Sequence, residues 1–276
     1  MHRKIFLLIF IGSLLRLQAS AQIDTLLQQK SIVYKKVNPY VTYPIIIGGF
    51  ITNYIGIRIL KNKPGIDQQT ASMLTPADVN AFDRGATHQN TFYNQAKQDM
   101  KISDIGLTSS SFLPLLLLAN TSTRKDFLQI SLIYLETMSI ISNMYSWGVG
   151  HINRKRPYVF NPEEDITRRT RRGSFNSFYC GHCAATATAS FFVAKVLNDY
   201  YVGNRGVKLF YVAALVPPAA VGYFRYKSGM HFPSDILAGT VVGTGVGLLV
   251  PELHRYKIRR LSVTPFGNSI FVTYKL

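Results

Sequence analysis

The sequence contains few charged residues and only two cysteines. Charged residues make up 16% of its 276 positions, against about 25% in soluble proteins, whereas hydrophobic residues make up 47%. This shortage of charge favours a protein that lies in a lipid bilayer. Because the two cysteines are three positions apart, no disulfide framework can hold the fold together, although a local bridge between them is compatible with an oxidising compartment.

Acidic residues are also scarce, and the imbalance gives the chain a net charge of +17. A strongly basic protein can bind nucleic acid, but no aromatic residues alternate with the basic ones here and no nucleic-acid-binding motif accompanies them. The basic residues instead cluster beside apolar segments, where acidic headgroups attract them. We therefore expect a membrane and a lipid phosphate as partners, and no nucleic acid.

The first 21 residues have the pattern of a signal peptide. A basic start, His2-Arg3-Lys4, precedes an apolar run at positions 5–15, and small residues at 19–21 suit a cleavage site. The mature chain is then expected to begin near Gln22.

Apolar stretches of near-membrane length recur along the rest of the chain. They predict an all-α helical bundle, integral to the membrane, with about five to six apolar helices. Several stretches are short or contain Asn, Ser or Thr, so a soluble all-α bundle with buried helices stays open as an alternative. The stretches are Tyr43–Leu60, Ile105–Ala119, Phe127–Val149, Phe175–Leu197, Val207–Tyr223 and Ile236–Val250.

The last stretch and the tail have patterns of their own. Gly239, Gly243 and Gly247 recur every four residues, a spacing that lets helix backbones approach closely. From Leu261 to Tyr274 apolar and polar residues alternate around a turn, which predicts a small β-hairpin. The expected organisation is a signal peptide at 1–21, a segment with the first apolar helix and a polar loop at 22–104, a helical core at 105–256 and a tail at 257–276.

Three separated stretches carry residues suited to phosphate chemistry. They are "NRKRPYVF" with Arg156, "SFYCGHCAATATASFF" with His182, and "RYKSGMHFPSDILAG" with Arg225, His231 and Asp235. Each lies at the end of an apolar stretch, so we expect one membrane face to gather them.

Their spacing suggests catalytic roles. If a helix begins near Pro233, His231 and Asp235 share one face, and a carboxylate bonded to one imidazole nitrogen leaves the other free to attack. His182, at a predicted helix N-terminus, can give a proton to a leaving oxygen.

Other residues suit phosphate binding. Arg156 and Arg225 can bind phosphoryl oxygens in bidentate fashion. The amide of Gly181 adds a backbone donor at the positive end of a helix dipole.

These motifs resemble the type 2 phosphatidic acid phosphatase superfamily, which includes lipid phosphate phosphatases, bacterial class A acid phosphatases and vanadium haloperoxidases. The resemblance covers about 149–250 and is most specific in "GMHFPSDILAG". It implies a metal-independent phosphatase without a cofactor that cleaves a terminal phosphate or pyrophosphate from a membrane lipid. It further implies that His231 forms a phosphohistidine, Asp235 orients it and His182 protonates the leaving group.

The resemblance also assigns the phosphate ligands, with departures from the family pattern. Arg156, Gly181 and Arg225 would hold the phosphate. Val149 stands where the family has a lysine, which Lys155 or Lys227 would have to replace. Three further positions depart from the pattern, namely Tyr179, Cys180 and Phe224. The Cys180 thiol is expected to act as a weak donor in place of a hydroxyl.

Two other functions remain open. The pair Cys180 and Cys183 at a predicted helix N-terminus could form the redox centre of an exported disulfide oxidoreductase, or, with His182, part of a zinc site that lacks a fourth ligand. The chain could also be a catalytically degraded relative that only binds phospholipid.

The orientation of the site follows from the loop charges. Strict alternation of spans after a cleaved leader places the loops of Arg156 and His231 in the cytoplasm. The basic residues Arg124, Lys125 and Arg255 favour the opposite orientation. We expect a protein of the bacterial inner membrane with its site facing the periplasm.

Overall fold

The computed structural model describes residues 34, 36–89, 93–201, 205–255, 261–266 and 269–274. The expected signal peptide at 1–21 lies outside the described residues. Long helices are α1 (Pro39–Asn62), α4 (Tyr93–Ser111), α6 (Phe127–His151), α8 (Gly181–Tyr200), α10 (Val216–Lys227) and α11 (Pro233–His254). Short helices are α2 (Gln68–Met73), α3 (Ala81–Arg84), α5 (Thr121–Lys125), α7 (Ile166–Thr170) and α9 (Lys208–Ala213).

The predicted all-α bundle is confirmed, and part of it is suited to a bilayer. Within the described ranges three segments are long and apolar enough to cross a membrane, namely Pro39–Asn62, Asn94–Ala119 and Pro233–His254. The second combines α4 with a 3₁₀ segment, Leu113–Ala119. These three segments associate the chain with a membrane by length and composition.

Two apolar stretches differ from the expected continuous helices. The stretch Phe175–Leu197 becomes helical only at Gly181, because the preceding residues run in extended form beside the segment after α6. The stretch Val207–Tyr223 is interrupted between α9 and α10. Pro217 and Pro218 lack an N–H for a continuous helix, and they lie instead in the first turn of α10, where proline is tolerated.

Helix α8 is the centre of the bundle. It packs against α4, α6, α9, α10 and α11, and most of its side chains are buried. Phe192, Val196 and Tyr200 lie in the largest apolar cluster, which includes Ile133 and Ile141 of α6. Because other helices surround α8, its first residue, Gly181, is held at a fixed place in the fold.

Glycines allow α11 to pack directly on α8. A Cβ atom at Gly239, Gly243 or Gly247 would lie 2.4, 2.1 or 2.6 Å from a backbone carbonyl oxygen of the N-terminal half of α8 or its cap. The hydroxyl of Thr188 in α8 also donates to the Gly243 carbonyl at 3.0 Å. The four-residue glycine repeat therefore has the close-packing role expected from its spacing.

Polar residues in the apolar helices join α1 to α6. The amide of Asn53 donates to the carbonyl of Ser142 at 2.8 Å, and that of Asn143 donates to the carbonyl of Gly49 at 2.7 Å. Interhelical hydrogen bonds of this kind stabilise helix pairs in lipid, where an unpaired polar group is costly. The Asn and Ser residues of these stretches are thus compatible with membrane helices.

The tail forms the expected β-hairpin. Strands β1 (Leu261–Phe266) and β2 (Ser269–Tyr274) pair in antiparallel register, with Leu261 opposite Tyr274 and Phe266 opposite Ser269. The hairpin follows α11 in the chain.

The contact between α8 and α11 predicts the effect of a single methyl group. Gly243→Ala places a Cβ within 2.1 Å of the Ala184 oxygen, and we expect it to destabilise the protein by about 1–3 kcal/mol. Gly245→Ala, where nothing lies within 4 Å, is the matched control and should be neutral or stabilise α11 by about 0.5–1 kcal/mol. Unfolding in detergent measures both variants, and equal stability would contradict this packing.

Candidate active site

Three loops that are far apart in the sequence meet at one end of the bundle. The segment after α6 forms a parallel bridge with the segment before α8. The amide of Cys180, which caps α8, donates to the carbonyl of Asp235 in α11 at 3.1 Å. The amide of Tyr158 donates to the carbonyl of Gly229, in the turn between α10 and α11, at 3.2 Å. The structure thus brings the three motif-bearing stretches together.

His231 lies buried in the turn before α11, with 2% of its surface exposed. Its Nδ1 atom is 2.7 Å from the backbone carbonyl of Ser177. A carbonyl oxygen only accepts, so Nδ1 carries the hydrogen and Nε2 keeps its lone pair in the neutral ring. Burial, followed by the charges of Arg156 and Arg225, holds the pKa of His231 well below its usual value. The ring is therefore neutral and has a free nitrogen.

Asp235 acts on His231 less directly than its spacing suggested. Its Oδ2 atom is 4.0 Å from Nδ1 of His231, whereas it accepts hydrogen bonds from the Ser177 hydroxyl at 2.6 Å and the Phe232 amide at 2.9 Å. The reason is that α11 begins at Pro233, so His231 precedes the helix and Asp235 faces back to cap its first turn. Asp235 thus orients Ser177, whose carbonyl in turn orients His231.

Arg154 is a site residue that the sequence analysis missed. Its guanidinium pairs with Asp235 and with Asp83, the latter at 2.7 Å, and lies 4.8 Å from the centre of the Phe232 ring. Asp83 also accepts from the amide and hydroxyl of Ser234, at 3.0 and 2.7 Å. The polar segment before α4 therefore helps to fix the start of α11, which no local sequence signal indicated.

His182 and Arg225 meet at a second unpredicted carboxylate. Oδ1 of Asp104, in α4, is 2.9 Å from Nε2 of His182 and also accepts from the Arg225 guanidinium. Burial and the charge of Arg225 lower the pKa of His182 to about 4, although Asp104 partly opposes them. The available signal was an acidic residue directly before the apolar stretch that starts at Ile105.

The two predicted phosphate-binding arginines have unused hydrogen-bond donors. The Nε atoms of Arg156 and Arg225 are buried and have no partner among the residues that the structure describes. Nη1 of Arg156 is only 3.0 Å from the sulfur of Met230, a weak acceptor. Because unpaired buried donors are costly, these guanidinium groups indicate a place for an anion beside His231.

The loop of Cys180 differs from the expectation in one respect. Cys180 and Cys183 form a disulfide, and both are fully buried. Cys180 therefore has no thiol hydrogen to donate to a phosphate, and its amide is bound to Asp235. Gly181 begins α8, so its amide belongs to the first turn, whose N–H groups have no intrahelical acceptor. A Cβ there would lie 2.4 Å from the Tyr145 ring.

Two other positions that depart from the family pattern, Val149 and Tyr179, are buried. Val149 is completely buried in α6. Its carbonyl and that of Ile152 accept from the ammonium of Lys63, which caps the end of α6. The hydroxyl of Tyr179 is buried without a partner in the described part of the chain.

In the same part of the chain, no three His, Cys, Asp or Glu side chains are grouped so that they could hold a metal ion.

Comparisons with known proteins identify one family. The family model described as PAP2 superfamily matches residues 108–259. No curated protein and no solved structure matches the chain. The matched range contains all three motif-bearing stretches, whereas Asp83 and Asp104 lie before it.

Proposed function

The chain belongs to the PAP2 superfamily, and from this membership we propose that it is a metal-independent phosphatase acting on the terminal phosphate or pyrophosphate of a membrane lipid. Family membership implies phosphatase or phosphoesterase activity, and the lipid substrate and the mechanism are the proposal. The observation that carries it is that the buried Nε atoms of Arg156 and Arg225 have no partner among the described residues and lie beside the neutral ring of His231.

In the first step Nε2 of His231 attacks phosphorus. The bond from phosphorus to the leaving oxygen breaks, and His182 gives that oxygen a proton, so the products are an alcohol, or a phosphate monoester from a pyrophosphate, and a phosphohistidine. Arg156, Arg225 and the Gly181 amide balance the phosphoryl charge. A bound phosphate dianion raises the pKa of His182 from its low value, so the ring takes a proton from solvent and can donate it in this step.

In the second step water attacks the phosphohistidine. His182, now neutral, accepts a proton from the water, the bond between phosphorus and Nε2 breaks, and inorganic phosphate leaves. The Ser177 carbonyl keeps the hydrogen on Nδ1 of His231 throughout, with Asp235 fixing Ser177. Asp104 contacts both His182 and Arg225, so the leaving oxygen of the substrate takes its place at Nε2 of His182 when that nitrogen donates the proton.

Two features support a lipid substrate. Among the described residues, three segments are suited to the bilayer. A mainly apolar cavity of about 500 Å³ lies between Leu113–Ala119, α8, α9 and α10. The same bundle of α4, α8 and α10 supplies Asp104, His182 and Arg225 to the site. The cavity begins at Ser190, about 12 Å along α8 from His182, so it suits the tail of a lipid whose headgroup lies at the site.

The proposed location is the inner membrane, with the site facing the periplasm. Residues Arg124 and Lys125 follow Leu113–Ala119, and Arg255 follows α11. Because α11 starts at the site and is 22 residues long, Arg255 lies about 30 Å away, at the opposite end of a possible span. Basic residues prefer the cytoplasmic side, which leaves the site outside.

The disulfide oxidoreductase is a weaker alternative. Both sulfur atoms are fully buried within a helical bundle, where a partner thiol cannot reach them. A relative that binds phospholipid without turnover would share the pocket, so only catalysis separates it from the proposed enzyme.

Phosphate release from a lipid panel tests the proposal. With chelator present, the wild type should release phosphate from at least one of phosphatidic acid, phosphatidylglycerol phosphate, polyprenyl pyrophosphate and lipid A. His231→Ala should lower kcat by more than about 10⁴-fold, because nucleophile loss in covalent enzymes costs about 10⁶. His182→Ala should cost about 10²–10⁴-fold. The exposed His151→Ala is the control. Turnover that requires added metal, or that survives in His231→Ala, would refute the mechanism.

The acidic limb of the pH profile tests the state of His231. Catalysis needs the neutral ring, whose pKa lies below 6.5, so the nucleophile loses activity only as pH falls below that value. In Arg156→Gln a positive charge is removed, the pKa of His231 rises, and the acidic limb of kcat/KM should move to higher pH. Ionisation of the substrate affects the wild type and Arg156→Gln equally, because both are assayed with the same substrate. Lys155→Ala serves as the control, and an unmoved limb in Arg156→Gln would count against this assignment.

A further inference from the structure

The site lacks the cation that the family pattern places at position 149. Val149 is buried and apolar, and the nearby Lys63 is committed to the carbonyl oxygens at the end of α6. If the chain is a phosphatase as proposed, Arg156 and Arg225 are the two cations among the described residues assigned so far to the charge of a phosphate dianion. A third cation, supplied from elsewhere in the chain, would restore the family's charge balance.

Most of the neighbouring arginines are already bound to other groups. Arg154 pairs with two carboxylates, as described above. Arg168 pairs with Glu164 and also donates to the carbonyl of Ser228 at 3.1 Å. Arg169 donates to three backbone carbonyls. None of these guanidinium groups can turn to a phosphate without leaving a buried partner unpaired.

The two lysines considered from the sequence are also poorly placed. The amides of Arg154 and Arg156 both donate to the segment beside them, at 3.1 and 2.8 Å. In such an extended segment, alternate side chains share a face, so Lys155 points away from Arg156. The ammonium of Lys227 lies 5.8 Å from the centre of the exposed Tyr223 ring.

Arg171 lies beside the pocket. Its Nη2 atom is 3.7 Å from the sulfur of Met230, and Nη1 of Arg156 is 3.0 Å from the same sulfur. The distance between the two nitrogens is therefore at most the sum of these two distances. One phosphate can bridge such a gap, since charge-assisted hydrogen bonds of about 2.7–2.9 Å extend from each side. Met230 directly precedes His231 in the chain.

The position of Arg171 is fixed by its surroundings. Its guanidinium lies 5.0 Å from the centre of the Tyr158 ring, and its Nε donates to the Tyr158 hydroxyl at 3.2 Å. The turn that follows is held by Ser174, whose hydroxyl donates to the Arg171 carbonyl at 2.7 Å. The Ser174 carbonyl accepts from the Arg156 amide at 2.8 Å. The turn thus connects Arg171 directly to the backbone of Arg156.

We propose that Arg171 is the third cation of the phosphate pocket and replaces the family lysine. This inference rests on the proposed function. Arg171 reaches the phosphoryl group from the loop between α7 and α8, where it contacts the same Met230 sulfur as Arg156. Its planar guanidinium can bind two phosphoryl oxygens, which a lysine cannot do.

Substitution at position 171 tests this role. Arg171→Ala and Arg171→Met should each lower kcat/KM for phosphate release by about 10–100-fold and weaken product inhibition by inorganic phosphate to a similar degree. Arg171→Met keeps an apolar stem against Tyr158, so its thermal unfolding should remain close to that of the wild type. Arg172→Ala removes an exposed neighbour of the same charge and should change both quantities by less than about twofold.

Separate outcomes identify which proposal fails. If Arg171→Met behaves like Arg172→Ala, or if its activity falls only in proportion to a loss of folded protein, Arg171 is not a phosphate ligand. If the wild type releases no phosphate from any lipid, the proposed function fails instead. In that case the increase in unfolding temperature caused by inorganic phosphate still reports phosphate binding to the pocket. This increase should be smaller in Arg171→Met than in the wild type and should be unchanged in Arg172→Ala.

Discussion

A buried carboxylate, Asp235, connects the separate parts of the site. Its side chain accepts hydrogen bonds from Ser177 and from the first turn of α11, and it pairs with Arg154. Its backbone carbonyl accepts from Cys180 at the start of α8. Three loops thus share one residue, and the alignment of the His231 ring depends on it. Loss of this carboxylate would leave the buried Ser177 hydroxyl and Phe232 amide without their acceptor, which favours one arrangement of the loops.

The pocket that results combines positive charge with neutral imidazoles. Burial keeps His231 uncharged, and the guanidinium groups of Arg156 and Arg225 strengthen that effect. In the described part of the chain the Nε donors of the same guanidinium groups are buried without partners, so an incoming anion gains hydrogen bonds from them. A single arrangement therefore favours both a nucleophilic nitrogen and the binding of its phosphoryl target. Asp104 moderates this charge while the substrate is absent.

The sequence predicted those parts of the molecule that depend on local pattern. Apolar runs predicted the helices, and the glycine repeat predicted the contact of α11 with α8. The position of the motifs at the ends of apolar stretches predicted that the segments carrying His182 and His231 would meet. It could not predict Asp83, Arg154 or Asp104, because their partners lie about 70–120 positions away and leave no local signature. The sequence predicted a direct bond from Asp235 to His231, because their four-residue spacing places both on one face if they share a helix. His231 instead precedes the helix, so Asp235 acts on it through Ser177.

The central claim is that His231 becomes covalently phosphorylated. An aryl phosphate needs little proton donation to its leaving group, so His182→Ala should still undergo the first step but should hydrolyse the intermediate slowly. Mass spectrometry of this variant, quenched in alkaline denaturant during turnover, should find a phosphoryl group on the peptide that contains His231. Turnover with no phosphorylated His231, or with the phosphoryl group on another side chain, would contradict the account.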